Sequence, residues 1–181
     1  MKDPIDRLLE EHRDIMAQVE GLRRAVKALE ERGEDAVTEV LPELKAVGRM
    51  MATQLLSHAQ REDEALFPAL EAVFGRTGSP TEMMRLEHRE IHAEAEIFRQ
   101  TLHELNQVEH PAIMAGGERL RGLAAFGVGA RQLRDTGAEI VRLLDLHFGK
   151  EEDILFPMAR EILDPAALER VGRKMEEIAA G

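Results

Sequence analysis

Hydrophobic positions recur along the chain at steps of three and four, with polar residues between them. Ile5, Leu8, Ile15, Val19, Leu22, Val26 and Leu29 share one helical face, opened by Asp3-Pro4 and stopped at Gly33. The pattern predicts a second helix from about Thr38 to Phe74, broken or kinked at Pro42 and bent again at Pro68. Residues 75–79 read as a turn. Ser79-Pro80-Thr81-Glu82 has the form of a capping box and starts a third helix carrying Met84, His88, Ile91, Ala95, Phe98, Leu102 and Leu105. The stretch from Glu109 to Gly129, with Pro111 and five glycines, is the least regular. A fourth helix then runs past residue 158, with Leu133, Gly137, Ile140, Leu144, His147, Glu151, Ile154 and Met158 as its stripe. Asp164-Pro165 opens a short fifth helix with Leu168, Val171, Met175 and Ile178 on one face. No strand-like alternation persists. The expected fold is all-α, an antiparallel up-down four-helix bundle over about residues 3–161 with a short C-terminal helix over about 165–179. All of it forms one domain, 1–181. The last helix caps one end of the bundle or joins a dimer contact.

The chain also repeats itself. Leu9-Glu10-Glu11-His12-Arg13-Asp14-Ile15 resembles Arg85-Leu86-Glu87-His88-Arg89-Glu90-Ile91, and the run from His58 to Pro68 matches that from His147 to Pro157 in phase. Each half is therefore a helical hairpin with one His on its first helix and His-x-x-x-Glu on its second. His12 and His58 are 46 residues apart and His88 and His147 are 59 apart, so an insertion of 13 is expected in the glycine-rich stretch.

Five of the seven histidines occupy or adjoin the apolar stripes. His58/Glu62, His88/His92 and His147/Glu151 are same-face pairs at i,i+4, and His12 is a further inward group. Any one of these alone reads as a surface pair or a hydrogen-bonded core histidine. Buried together without a partner, five imidazoles and two carboxylates would cost several kcal/mol per group, and a metal removes that cost. Seven ligands exceed the capacity of one ion and suit two ions bridged by both carboxylates. An imidazole and carboxylate set without thiolate suits iron, and also zinc or manganese. His92 has no partner in the first half, where Met16 stands at its place. One metal would then be filled and the other left with an open position.

Composition narrows the picture further. The 181 residues carry 24 Lys and Arg against 35 Asp and Glu, a net charge of −11 that opposes nucleic acid binding. The absence of cysteine excludes disulfides, thiolate metal sites and thiol nucleophiles, and without Trp or Tyr base stacking and tyrosyl chemistry are not expected. No stretch approaches the roughly 20 apolar residues that span a bilayer, and a cytoplasmic protein is expected.

On the residues His12, His58, Glu62, His88, His92, His147 and Glu151, the sequence resembles the haemerythrin-like family, the helical bundles also called the HHE cation-binding domain. The resemblance implies two iron ions in an oxo- or hydroxo-bridged centre, with His88, His92 and His147 on one and His12 and His58 on the other. Glu62 and Glu151 would bridge them. Oxygen-carrying haemerythrins place the last carboxylate five residues after its His, where this chain has Glu152. Glu151 is preferred because it lies on the stripe and matches Glu62 in the repeat. The other members of the acidic runs 62–64 and 151–153 are expected in solvent or in ion pairs between helices. The four-residue spacing is common in a bacterial branch that includes iron-centre repair proteins, which often add a cysteine-containing segment. Gln54 is a candidate hydrogen-bond partner for His58, whereas His103 and His110 are expected to be ordinary surface residues. The implied function is binding or sensing of dioxygen or a related diatomic such as nitric oxide. A stress-response enzyme handling peroxide or nitric oxide, or aiding repair, is the alternative, as is a redox-inert cation-binding module. A sensor would need a signalling partner protein, and a homodimer is the other assembly expected.

Overall fold

The computed structural model describes residues 3–108 and 116–180, and of 106–108 and 116–126 the backbone path alone. The first helix, α1 (Pro4–Arg32), ends in a 3₁₀ turn, Gly33–Ala36, whose first residue has φ +58. The second helical rod is α2 (Val37–Met50), α3 (Leu56–Arg61) and α4 (Phe67–Phe74), joined by π-helical turns at Met51–Leu55 and Glu62–Leu66. After the turn come α5 (Pro80–Val108) and the fourth rod, α6 (Gly116–Lys150) and α7 (Phe156–Ile162), joined by a π turn at Glu151–Leu155. The last helix is α8 (Pro165–Ala180). Among the described residues there is no strand.

Start signals act as the sequence implies. Asp3 accepts the N–H of Ile5, Asp164 that of Ala167, and Ser79 that of Glu82, each just before a proline at the first helical position. Glu82 completes the capping box from one residue further out, accepting the N–H of Gly78 rather than of Ser79.

Two compact units emerge. One comprises Met1–Ala17, Met51–His92 and Leu143–Gly181, the other Gln18–Met50 and Ala93–Arg142. In the first, Asp3 and Asp6 pair with Arg160 while His12 further along α1 reaches back to Glu152, so these rods run oppositely. Thr81 meets Glu71 and His88 meets Asp63, which sets α5 antiparallel to the second rod. The same unit holds a core of Ile5, Leu8, Leu66, Phe67, Leu70, Phe156 and Ala159, closed by Val171 and Met175 of α8. The fifth helix thus caps this core. In the second unit, Arg24 bonds Glu43 and Arg32 bonds Glu39, again antiparallel. Both units have the up-down helical packing that the pattern predicts.

Three expectations need correcting. Pro42 lies inside α2, whose helix continues around it. The irregular turns fall at 51–55, 62–66 and 151–155, the second of them just before Pro68, where the sequence predicts a bend. The glycine-rich stretch is helical from Gly116 onward, and residues 109–115, with His110, lie outside the described residues. Glycine serves close packing here: a Cβ on Gly129 would meet Leu105 at 2.7 Å and one on Gly137 would meet Val26 at 2.8 Å. Of the 13 extra residues, three fall among 109–115, outside the described residues. The other ten lengthen the run from helix start to His147, 31 residues against 21 from Val37 to His58.

The third correction concerns the fourth stripe. Ile154 is 59% exposed, while Leu155 and Ala159 are buried. The cause is the π turn, which adds a residue to one turn and shifts every later position by one. Each of the two matching π turns ends at a Phe-Pro pair, Phe67-Pro68 and Phe156-Pro157. Proline has no N–H and its ring crowds the carbonyl four residues back, so a wider turn ahead of it relieves the clash. In both, the Phe N–H reaches back five residues, to the carbonyl of Glu62 or of Glu151.

This register makes a test. Leu155→Ala should cost about 2–5 kcal/mol in denaturant unfolding, and Ile154→Ala less than about 0.5 kcal/mol. The reverse ranking would restore an unbroken α-helix through residue 154.

Candidate metal centre

All the groups of the centre lie in the first unit. His12 comes from α1, His58 from α3, His88 from α5 and His147 from α6, while Glu62 and Glu151 open the two matching π turns. All six side chains are buried, both glutamates completely. The Nε2 atoms face inward. Those of His12 and His58 are 3.0 Å apart, and they lie 3.2 Å from Glu151 and 3.5 Å from Glu62 respectively. His88 Nε2 is 3.3 Å from Glu62, and His147 Nε2 is 3.3 Å from Glu151. Ligand atoms converge in two groups of four, His12/His58/Glu62/Glu151 and Glu62/His88/His147/Glu151, each within 4.8 Å. Both carboxylates belong to both groups.

Each imidazole is fixed from behind by a carboxylate of the neighbouring rod. Glu11 of α1 accepts from His58 Nδ1 at 3.0 Å, and Asp63 of the second rod accepts from His88 Nδ1 at 3.0 Å. Glu87 of α5 accepts from His147 Nδ1 at 3.0 Å, and Glu152 of the fourth rod accepts from His12 Nδ1 at 2.8 Å. The ring of four bonds closes on itself. With Nδ1 donating, every Nε2 keeps its lone pair for the centre. Cations hold three of the four carboxylates: Arg61 and Arg7 hold Glu11, Arg85 holds Asp63, and Lys150 holds Glu87.

Glu11, Asp63, Glu87 and the orienting role of Glu152 escaped the sequence reading. The signal was present, because an acidic residue precedes His12 and His88 and another follows Glu62 and Glu151. Glu152 ends outside the centre with a side chain 45% exposed, and Glu151 faces inward fully buried. Gln54 is exposed, since the inward stripe runs Met51, Leu55, His58, Glu62, and Glu11 takes the role expected of it. His103 is exposed, as expected. His92 stands one turn beyond His88, half-buried and outside both groups of four. It lines a cavity of about 10 Å³ with Leu55, His58, Ala59, His88, Ile91, His147 and Phe148, room for one water-sized molecule.

Burial raises Glu62 above the usual carboxylate range, which His88 offsets only in part. Burial and then the charge of Glu62 raise Glu151 to about 7. Burial pulls His88 down, but Asp63 and Glu62 outweigh it and hold the imidazole up at about 10. His147 drops to about 2 under burial and the charge on His88. In the metal-free chain a proton on His88 supplies part of the positive charge that the two carboxylates demand.

That charge is not enough. Both oxygens of Glu62, both of Glu151, and Nε2 of His88 and of His147 are buried without a hydrogen bond. Between His12 and His58 two inward lone pairs confront each other unless a cation or a proton lies between them. These six buried polar atoms around one point, once His88 gives up its proton, fit hard or borderline divalent cations, which take imidazole and carboxylate together. The sequence profile of the hemerythrin HHE cation-binding domain matches residues 3–126. The chain belongs to this family. No curated protein and no solved structure matches it. The matched residues include His12, His58, Glu62, His88 and His92, and the geometry above adds His147 and Glu151 beyond them. For an HHE domain, the converging His and Glu groups are where metal cations would be held.

Two tests follow from the geometry. In metal-loaded protein, Glu62→Ala or Glu151→Ala should release at least one ion and lower the melting temperature, because imidazoles are left buried without a partner. Glu152→Ala should keep the metal at reduced affinity. Elemental analysis separates the two glutamates. If Glu152→Ala empties the centre and Glu151→Ala does not, the inner ligand is misassigned.

The second test uses pH. His88 holds its proton to about 10 when folded and to 6.5 when unfolded, so its stabilisation is complete below 6.5 and is lost as pH rises towards 10. Glu151, raised from 4.5 to about 7, adds a loss in the same direction up to about 7. His147, lowered from 6.5 to about 2, opposes these only below 6.5. Chelator-treated protein should therefore melt at lower temperature as pH rises above 6.5, while metal affinity rises because the ion displaces those protons. A melting temperature that climbs over this range contradicts the assignment.

Proposed function

We propose that this HHE domain holds two iron ions and binds or senses dioxygen or a related diatomic such as nitric oxide. The observation that supports it is the sharing of both buried carboxylates by two groups of ligands, so that each ion would be held by two imidazoles and by Glu62 and Glu151 in common. His92, one turn beyond His88, would be the further imidazole for the ion held by His88 and His147. Burial and the charge on His88 push its imidazole down, so it is neutral and offers a lone pair. Met16, also half-buried, stands at the equivalent place in the first repeat. The ion of His12 and His58 thereby has one ligand fewer.

When bound, iron supplies reducing electrons and an exchangeable position for a small ligand. The protein supplies the rest. Glu11, Asp63, Glu87 and Glu152 hold the imidazoles in one tautomer and orientation. Phe148 stacks on His12 at 3.8 Å between ring centres, and Phe156 and Phe67 cover His12 and His88 further out. Leu55, Ile91 and Phe148 give the cavity an apolar wall, which favours a small uncharged molecule over an ion. Apart from the metal-binding histidines, no side chain lining the cavity is a proton donor.

Iron-loaded protein should contain two ions per chain by elemental analysis. Reduced without air it should be colourless, and on exposure to air it should gain visible absorption. Reversal on removing oxygen indicates a carrier or sensor, and irreversible oxidation indicates the stress-response chemistry. Two-iron protein that shows no colour at any stage would leave the redox-inert cation-binding module.

A further inference from the structure

The ring around the centre is complete in hydrogen bonds but not in charge. Glu11, Asp63 and Glu87 have side chains 22%, 34% and 14% exposed, and each is held by a cation. Glu152 is 45% exposed, and among the described residues no cation pairs with it. The repeat shows how this arises. Arg61 and Lys150, each just before a buried glutamate, hold Glu11 and Glu87 in the same way in the two halves. Arg85 stands three residues before His88, lies over the Phe67 ring at 5.2 Å and reaches Asp63 at 3.2 Å. Three residues before His12 stands Leu9, packed against the apolar core. Leu9 takes the place of the missing cation.

We infer that the two ions of the centre are kinetically unequal, and that the ion on His12 and His58 is the labile one because Glu152 alone of the four orienting carboxylates is unpinned. The inference rests on the two-ion reading above and deepens it. An orienting carboxylate lowers the freedom of its imidazole only as far as it is itself held. Asp63 is fixed by the guanidinium of Arg85, so His88 stays aimed at the centre. Glu152 rests on one hydrogen bond, and solvent competes for its oxygens. His12 therefore swings outward more readily than its counterpart, exposing its ion to water and chelators. The pinned residues act as positioning groups and touch no ion themselves.

The test is metal release from full-length protein loaded with two zinc ions, with the loading confirmed by elemental analysis. Mixing with excess chromophoric chelator in a stopped-flow instrument should give two phases of one ion each. Loss of an outer hydrogen-bonding partner costs about 10- to 100-fold in metal affinity. Arg85→Leu should accordingly speed the slow phase by about tenfold or more and leave the fast one unchanged. Glu152→Gln should speed the fast phase, and Leu9→Arg should slow it. If Leu9→Arg fails to fold, the other two variants still decide. Two ions leaving in a single phase, or a slow phase indifferent to Arg85→Leu, overturns the inference. So does a merging of the phases in His92→Ala with Arg85→Leu silent, which would trace the inequality to ligand number alone. Protein that takes up only one zinc ion overturns the two-ion reading instead.

Discussion

Glu62 and Glu151 are wholly buried, face each other across the same centre, and have no hydrogen bond to any of their four oxygens. Removing two carboxylates from water costs several kcal/mol each unless charge is returned to them. The imidazoles aim their Nε2 atoms at the same place, and those that are neutral add lone pairs to the demand for positive charge. The rest of the first unit can be read as provision for that demand. The orienting carboxylates fix the imidazoles, cations on three of them hold the carboxylates, and aromatic rings keep water away. A protonated His88 meets part of the demand without metal. The orphaned oxygens show how much is left for cations.

The fold supplies these groups by repetition. Each hairpin carries Glu-His on its first helix and His-x-x-x-Glu followed by an acid on its second. Because neighbouring rods are antiparallel, the acid beside each ligand falls behind the histidine of the next rod. Four rods therefore close a ring of four hydrogen bonds from two copies of one pattern. The Phe-Pro pairs serve the same end. Each forces a π turn that begins at the buried glutamate and whose widened bond ends on that residue's own carbonyl. The backbone irregularity and the ligand are one feature.

Much of this was legible in the residues. The step of three and four placed the core of α1 and α5 correctly, since every apolar position named for them is buried. The same periodicity put His12, His58, His88, His147 and both glutamates inward. It failed at Ile154, because a stripe drawn at α-helical spacing cannot anticipate an extra residue in one turn. Glycine misled at residues 116–129, since the trait that marks loops also permits close helix packing. The orienting acids were passed over because a charged neighbour of a ligand looks like a solvated one until the adjacent rod is in place. His92 lies at the limit of the method: its spacing from His88 sets it on the same side of the helix, and its half-burial leaves it beside the centre.

If the centre holds two ions as proposed, repetition alone would make them alike, and a small molecule would have no reason to choose between them. The two halves differ at only a few places near the centre. His92 faces Met16 across the repeat, Arg85 faces Leu9, and Asp63 faces the longer Glu152. These three differences act in one direction, whereas Phe148, at the place of Ala59, stacks on His12 and steadies it. The three give the His88 and His147 side a pinned acid, a shorter tether and, as proposed, a further imidazole, and would leave the His12 and His58 side less filled. A ligand seeking an exchangeable position finds it where reorganisation is cheapest. On the two-ion proposal, the symmetric scaffold would provide affinity for the pair of ions, and the departures from symmetry would decide which of them exchanges a ligand.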